Sequence, residues 1–184
     1  MRTPEQVLGP YFPIGLSPAT NGDLTYVDRD LGAALGEVIE ISGQVFNLEH
    51  EPVRGVRILV WQANSFGRYA HPNDPTTDVP LDPNFLGFGE VHSNESGAYR
   101  IRTVKPGSYR AEAAGRRAPH VHFEVQGQFE RLVTQMYFPD EPLNREDRFL
   151  LSSRQPELLI AKPVQCNREF QGRALRFDIV LTRG

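Results

Sequence analysis

Residues 116–125 read RRAPHVHFEV, and His120 and His122 stand one residue apart in a stretch of strand-forming residues. Side chains of a β-strand alternate between faces, so the two imidazoles converge on one side while Val121 and Phe123 face the other. Two neutral imidazoles on one face can ligate a transition metal, but two ligands do not make a site. The only cysteine, Cys166, provides no thiolate pair, and no His-Glu-X-X-His helix is present, so the usual zinc patterns are missing. A facial triad for ferrous iron needs a carboxylate. Glu124 shares the imidazole face by alternation, without thereby being a ligand. The other histidines are His50, His71 and His92, and spacing alone leaves the remaining ligands open.

The elements that must position this pair are mostly strands. Segments 38–46, 55–62, 98–104, 120–125, 131–138 and 174–182 are rich in apolar and β-branched residues, and several alternate apolar with polar. Sixteen glycines and fifteen prolines punctuate them. Helical periodicity is absent beyond one turn near NREDRFLLSS. The pattern predicts an all-β fold, packed as a sandwich. Two stretches, about 64–92 and 139–156, read as long irregular loops, which in compact domains are usually functional. The segment GPYFPIGLSPATNG, carrying Tyr11, Phe12, Ile14 and Leu16, reads as an extended arm lying on its own domain or on a neighbour. One domain covers 1–184, with the arm at 1–37 and the core at 38–184.

Composition narrows the function classes. Twenty basic residues against 23 acidic give a formal charge of −3, and no basic stripe interleaved with aromatics offers itself to nucleic acid. No apolar run approaches the roughly 20 residues of a membrane span, and the opening MRTPEQVLGP lacks a secretory apolar stretch. The expected setting is cytoplasmic.

The ordered motifs VWQANSFGRYAHPND…PLDPNF, ESGAYRIRTVKPGSY and APHVHFEV…LVTQMYF resemble the intradiol ring-cleavage dioxygenases, most closely the protocatechuate 3,4-dioxygenase group. The resemblance spans roughly residues 8–182. It implies an antiparallel β-sandwich core with long functional loops and a non-haem Fe(III) cofactor held by Tyr69, Tyr109, His120 and His122. Ferric iron is a hard acid that favours oxygen donors, and a tyrosine, with a pKa of about 10, needs a strong local cation to be a phenolate. The resemblance further implies that a catechol-type substrate binds this iron and is cleaved by O2 between its hydroxylated carbons, giving a cis,cis-muconate-type diacid. Tyr109 would act as a base as it leaves the iron. Arg117 matches the arginine beside the iron and would stabilise negative charge on the ring. Gln135 matches a glutamine behind the ligands, and Trp61 reads mainly as core.

Two departures bear on substrate and assembly. Between Tyr109 and the histidines the family often carries a proline-tryptophan stretch that lies near the substrate, whereas this chain has the smaller RAEAAGR, so the resemblance implies the reaction class and not a particular catechol. A ring carboxylate would want a cation at the pocket mouth, and Arg68, Arg116 and Arg148 are the candidates. The arm LGPYFPIGL resembles the segment that the family's non-catalytic subunit lends to the pocket. One chain then carries both features, which favours a homo-oligomer over a pairing with a paralogous subunit. The stretch before the first strand leaves no room for the helical dimerisation region of the longer relatives. Rival readings are a non-catalytic sandwich subunit, whose mark would be lost ligands, a zinc hydrolase, and a carbohydrate-binding sandwich with the tyrosines as a platform.

Overall fold

The computed structural model describes residues 1–15, 18–111, 115–165, 170 and 172–183. Cys166, Leu16 and the middle of RAEAAGR lie outside these. Two sheets face one another. The first is built on β1 (Val38–Phe46), with β4 (Ala98–Val104) antiparallel on one side. On its other side lie the short β10 (Arg173–Arg176) and β11 (Ile179–Val180), and β9 (Lys162–Val164) extends the sheet beyond β10. The second sheet has the order β3–β2–β7–β8, all antiparallel: β3 (Phe88–His92), β2 (Arg57–Trp61), β7 (His120–Gln126) and β8 (Arg131–Tyr137). A hairpin of β5 (Tyr109–Ala111) and β6 (Gly115–Arg117) stands apart from both.

Alternation decides what fills the space between the sheets. Along β1 every second residue is buried, and Ile39, Ile41 and Val45 meet Ile58 and Val60 of β2 and Val121, Phe123 and Val125 of β7. The opposite face of the second sheet is also covered, so β7 is buried on both sides from His120 to Val125. There Leu59, Trp61, Phe88 and Val133 form a second apolar layer, capped by Leu8, Tyr11 and Phe12 of the arm. The arm lies on its own chain. Thr3 N–H donates to Val180 O, Gln6 N–H to Val133 O, and Pro4 O accepts from the Thr134 hydroxyl.

Three expectations need correction. The stretch 64–92 is not wholly irregular, because 88–92 pairs with β2 and bridges Ala19 through Gly89. Its glycines, Gly87 and Gly89, carry no side chain to mark a strand. Residues 174–182 form two strands rather than one. The break falls where the Asp178 carboxylate, rather than a backbone carbonyl, accepts from Gln44 N–H. Both pieces run parallel to β1, so the first sheet is not purely antiparallel. The helical turn expected near NREDRFLLSS is present as 3-10 turns and the short α1 (Arg148–Ser152). Among the described residues no helix is long and apolar enough to cross a membrane.

Candidate metal centre

His120 and His122 do share a face, on the side of β7 away from the main core, and both are almost fully buried. Their Nε2 atoms face each other at 3.1 Å. His120 Nδ1 lies 2.6 Å from the carbonyl of Ala118. A carbonyl only accepts, so Nδ1 carries the proton and the Nε2 lone pair points into the site. The Tyr109 hydroxyl lies 3.4 Å from that same Nε2. Trp61 stacks flat on His122, with centroids 4.8 Å apart and planes 11° from parallel, so the residue expected to be core also fixes a histidine.

The two tyrosines arrive on separate loops that touch through glycine. Gly67 adopts φ +91°, and a Cβ there would stand 2.2 Å from Ser108 O. A Cβ on Gly107 would reach Gly67 N at 2.5 Å. Only two bare backbones fit, and their approach brings Tyr69 and Tyr109 edge to face at 5.4 Å. Asn64 sets the loop: its side-chain oxygen accepts from Phe66 and Arg68 N–H, and its amide donates to Pro80 O. Asp74 completes it by accepting from Tyr69 N–H. These contacts account for Asn64 and Gly67 in QANSFGRY.

Behind this cluster Arg117 is locked. It is 3% exposed and donates from Nε to Asp147 at 2.8 Å, and from Nη2 to Gln135 Oε1 at 2.7 Å and the Tyr137 hydroxyl at 3.1 Å. Its planar group lies over the Phe149 ring. Gln135 spends its amide on Val7 O, tying the arm to this network. Sequence reasoning missed Asp147 and Tyr137. Tyr137 lies two residues from Gln135 on the same strand face, and Asp147 caps α1, so alternation and a helix-start signal could have found both. Glu124, the carboxylate left open, pairs with Arg131 instead. Among the described residues no group of three or more His, Cys, Asp or Glu side chains is placed to hold a metal.

Electrostatics without a cation leave every donor neutral. Burial pushes the Tyr69 phenol well up, and Tyr109 follows for the same reason, with Arg117 opposing. Burial, helped by the charge on Arg117, holds both imidazoles well below their ordinary value. The Tyr69 hydroxyl and His122 Nδ1 are buried without hydrogen-bond partners. An ion could satisfy the Tyr69 hydroxyl, whose burial otherwise costs free energy, whereas His122 Nδ1 lies across its ring from the Nε2 that faces the site. The two Nε2 atoms, 3.1 Å apart, are near enough that both could be held by one ion. Two phenol oxygens and two imidazoles suit a ferric ion, since two phenolates offset two of its three charges.

A cavity of about 500 Å³ opens beside the cluster. Tyr109 and Arg117 stand in its wall with Tyr11, whose ring packs 4.5 Å from Tyr69. Arg68, Arg116 and Arg148 do not line it. Arg68 instead donates to Val79 O, Arg116 reaches Ser108, and Arg148 stands exposed at the start of α1.

The dioxygenase family profile matches residues 7–183. The protocatechuate 3,4-dioxygenase beta chain of Burkholderia cepacia is 39% identical over 173 residues, 86% of this chain and 73% of its own. The alpha chain of the enzyme of the same name from Pseudomonas putida is 34% identical over 191 residues, covering 96% and 90%. Among solved structures, the dioxygenase domain of a dioxygenase–carbohydrate-binding fusion from Streptomyces sp. SirexAA-E superposes with a TM-score of 0.76 at 27% identity, over the full length of both chains.

Proposed function

The chain belongs to the intradiol dioxygenase family, close to its protocatechuate group, and on that premise we propose that it is a non-haem Fe(III) enzyme that cleaves a catechol-type ring between its two hydroxylated carbons with O2, giving a cis,cis-muconate-type diacid. The observation that carries this reading is the meeting of Tyr69, Tyr109, His120 and His122 beside a cavity walled by Tyr109 and Arg117. The four would hold the iron, which when bound would supply Lewis acidity to lower the pKa values of a catechol and to orient it.

The chain's own residues do the rest. Tyr109, half-buried and on the cavity side, is the donor whose Oη takes up a substrate proton. Tyr69, stacked under Tyr11 and buried, stays in place with both histidines. Arg117 keeps its charge at every working pH and faces the cavity, where it stabilises negative charge developing on the ring. Asp147, Gln135 and Tyr137 fix its plane, so no reorganisation is needed when that charge appears. The arm residues Gly9–Tyr11 close one side of the cavity and exclude water. Arm and ligand set come from one chain, which supports a homo-oligomer rather than a site shared with a paralogous subunit.

The test is the visible spectrum of the iron-loaded protein, with and without a catechol in the absence of O2. A red-brown tyrosinate band that shifts on addition is expected, followed in air by a ring-opened diacid that gains both atoms of one O2. A protein that stays colourless after ferric loading would overturn the reading and leave the histidines to zinc or to structure.

A further inference from the structure

The walls of the cavity differ sharply from its metal end. Away from Tyr109 and Arg117 they are Val7, Pro10 and Tyr11 of the arm, Pro75, Ala111 and Phe149, with the neutral amide of Asn73 at the exposed rim. Arg117 is the only charged residue among the described lining. Its charge is matched by Asp147 at 2.8 Å, and it stands with Tyr109 at the reacting end of the cavity. None of the three arginines that could have met a ring carboxylate lines the cavity: Arg68 donates to Val79 O, Arg116 reaches Ser108, and Arg148 is exposed beside Phe149. Asp74, in the same loop as Asn73 and Pro75, adds a negative charge beside this wall.

We propose that this cavity selects catechols with a neutral, apolar ring substituent, such as alkyl or halogen, over catechols bearing a ring carboxylate. The inference rests on the reading of the cavity as a catechol site and adds the class of substituent. The reason is desolvation. A carboxylate placed against this wall meets prolines, a valine and aromatic rings, and apart from Arg117 finds no cation among the described lining residues to replace the hydration it loses. A methyl group or chlorine loses nothing there and gains contact.

The experiment uses the full iron-loaded chain under anaerobic conditions. Dissociation constants of catechol, 4-methylcatechol, 4-chlorocatechol and protocatechuate are measured by calorimetry, and turnover of each is then followed in air. The methyl and chloro compounds are expected to bind at least as tightly as catechol, and protocatechuate at least tenfold more weakly. Protocatechuate binding as tightly as catechol would overturn the proposal. Binding in the expected order without consumption of any compound would uphold the substituent preference and reject the dioxygenase reading. Absence of binding by all four would reject both. Asn73→Arg, which places a cation at the rim, should improve protocatechuate relative to catechol at least fivefold, and an unchanged ratio would count against this assignment of the wall.

Discussion

Asp147 holds Arg117 and the start of the histidine strand with the same oxygen: its Oδ2 accepts from Arg117 Nε at 2.8 Å and from Ala118 N–H at 2.9 Å. Its other oxygen caps α1 through Phe149 and Leu150 N–H. Asp147→Asn keeps the size but leaves a buried guanidinium without its counter-charge. Breaking a buried pair from one side costs about 3–5 kcal/mol. Denaturant unfolding should show a loss of that order, with turnover falling as Arg117 loses its fixed orientation. A loss under about 1 kcal/mol would mean that Gln135 and Tyr137 suffice to hold the arginine.

Tyr69 and Tyr109 should respond differently to loss of the hydroxyl. Tyr69 Oη is buried with no well-formed hydrogen bond and only the Tyr109 hydroxyl beside it, whereas Tyr109 Oη also lies 3.4 Å from His120 Nε2. Removing an unsatisfied buried polar atom relieves about 1–3 kcal/mol. Metal-free Tyr69→Phe should therefore be more stable than the parent by about 1 kcal/mol or more, while retaining less iron by elemental analysis. Metal-free Tyr109→Phe should gain nothing. A destabilised Tyr69→Phe would show that its hydroxyl is satisfied in the metal-free protein and is not held ready for an ion.

How much of this was legible beforehand follows from which forces are local. The His120/His122 face and the Val121/Phe123 face depend only on strand alternation, and that reading holds. The strand at 88–92 was hidden because its pairing partners are β2 and the arm, while its own residues include Gly89. The parallel return of β10 and β11 beside β1 depends on contacts more than a hundred residues apart, which no local pattern encodes. Tyr69 and Tyr109 came from the family resemblance. Nothing in spacing alone could reveal that Gly67 and Gly107 let their loops touch. Gln135 was expected behind the ligands, and its hydrogen bonds to Arg117 and to the arm at Val7 emerge only from the fold.

Acid should weaken the metal-free protein through its histidines. Burial holds His120 and His122 well below 6.5, so the folded state keeps both neutral where the unfolded chain already binds protons. The unfolded state then carries more protons, and stability rises with pH across that window. The contribution is fully present above about pH 6.5 and is lost progressively as pH falls below it, towards the depressed folded values. Each histidine contributes a slope of up to about 1.4 kcal/mol per pH unit. Melting temperature should fall steadily from about pH 7 to pH 5, and His122→Gln should make that fall shallower. A flat profile would mean that the imidazoles are reached by water.

The arm's hold on the site can be tested at Gly9. It adopts φ +76°, and a Cβ there would stand 3.3 Å from His122 Cε1. Alanine would be strained by its backbone and crowded against a ring that is itself clamped by Trp61. A left-handed non-glycine costs about 1–2 kcal/mol. Around Gly9 the arm is tied by Gln6 N–H to Val133 O and Gln135 Nε2 to Val7 O on one side and by Phe12 O beside His71 Nε2 on the other, while β1 and β2 lie in separate pairings, so strain should lift it locally rather than unfold the sheets. Lifting the arm opens the wall formed by Val7, Pro10 and Tyr11. Gly9→Ala should raise the KM for a catechol about fivefold, the equivalent of about 1 kcal/mol, and increase hydrogen exchange in the arm while leaving β7 protected. An unchanged KM with a lowered global melting temperature would show that the arm supports the fold and does not form the wall of the binding site.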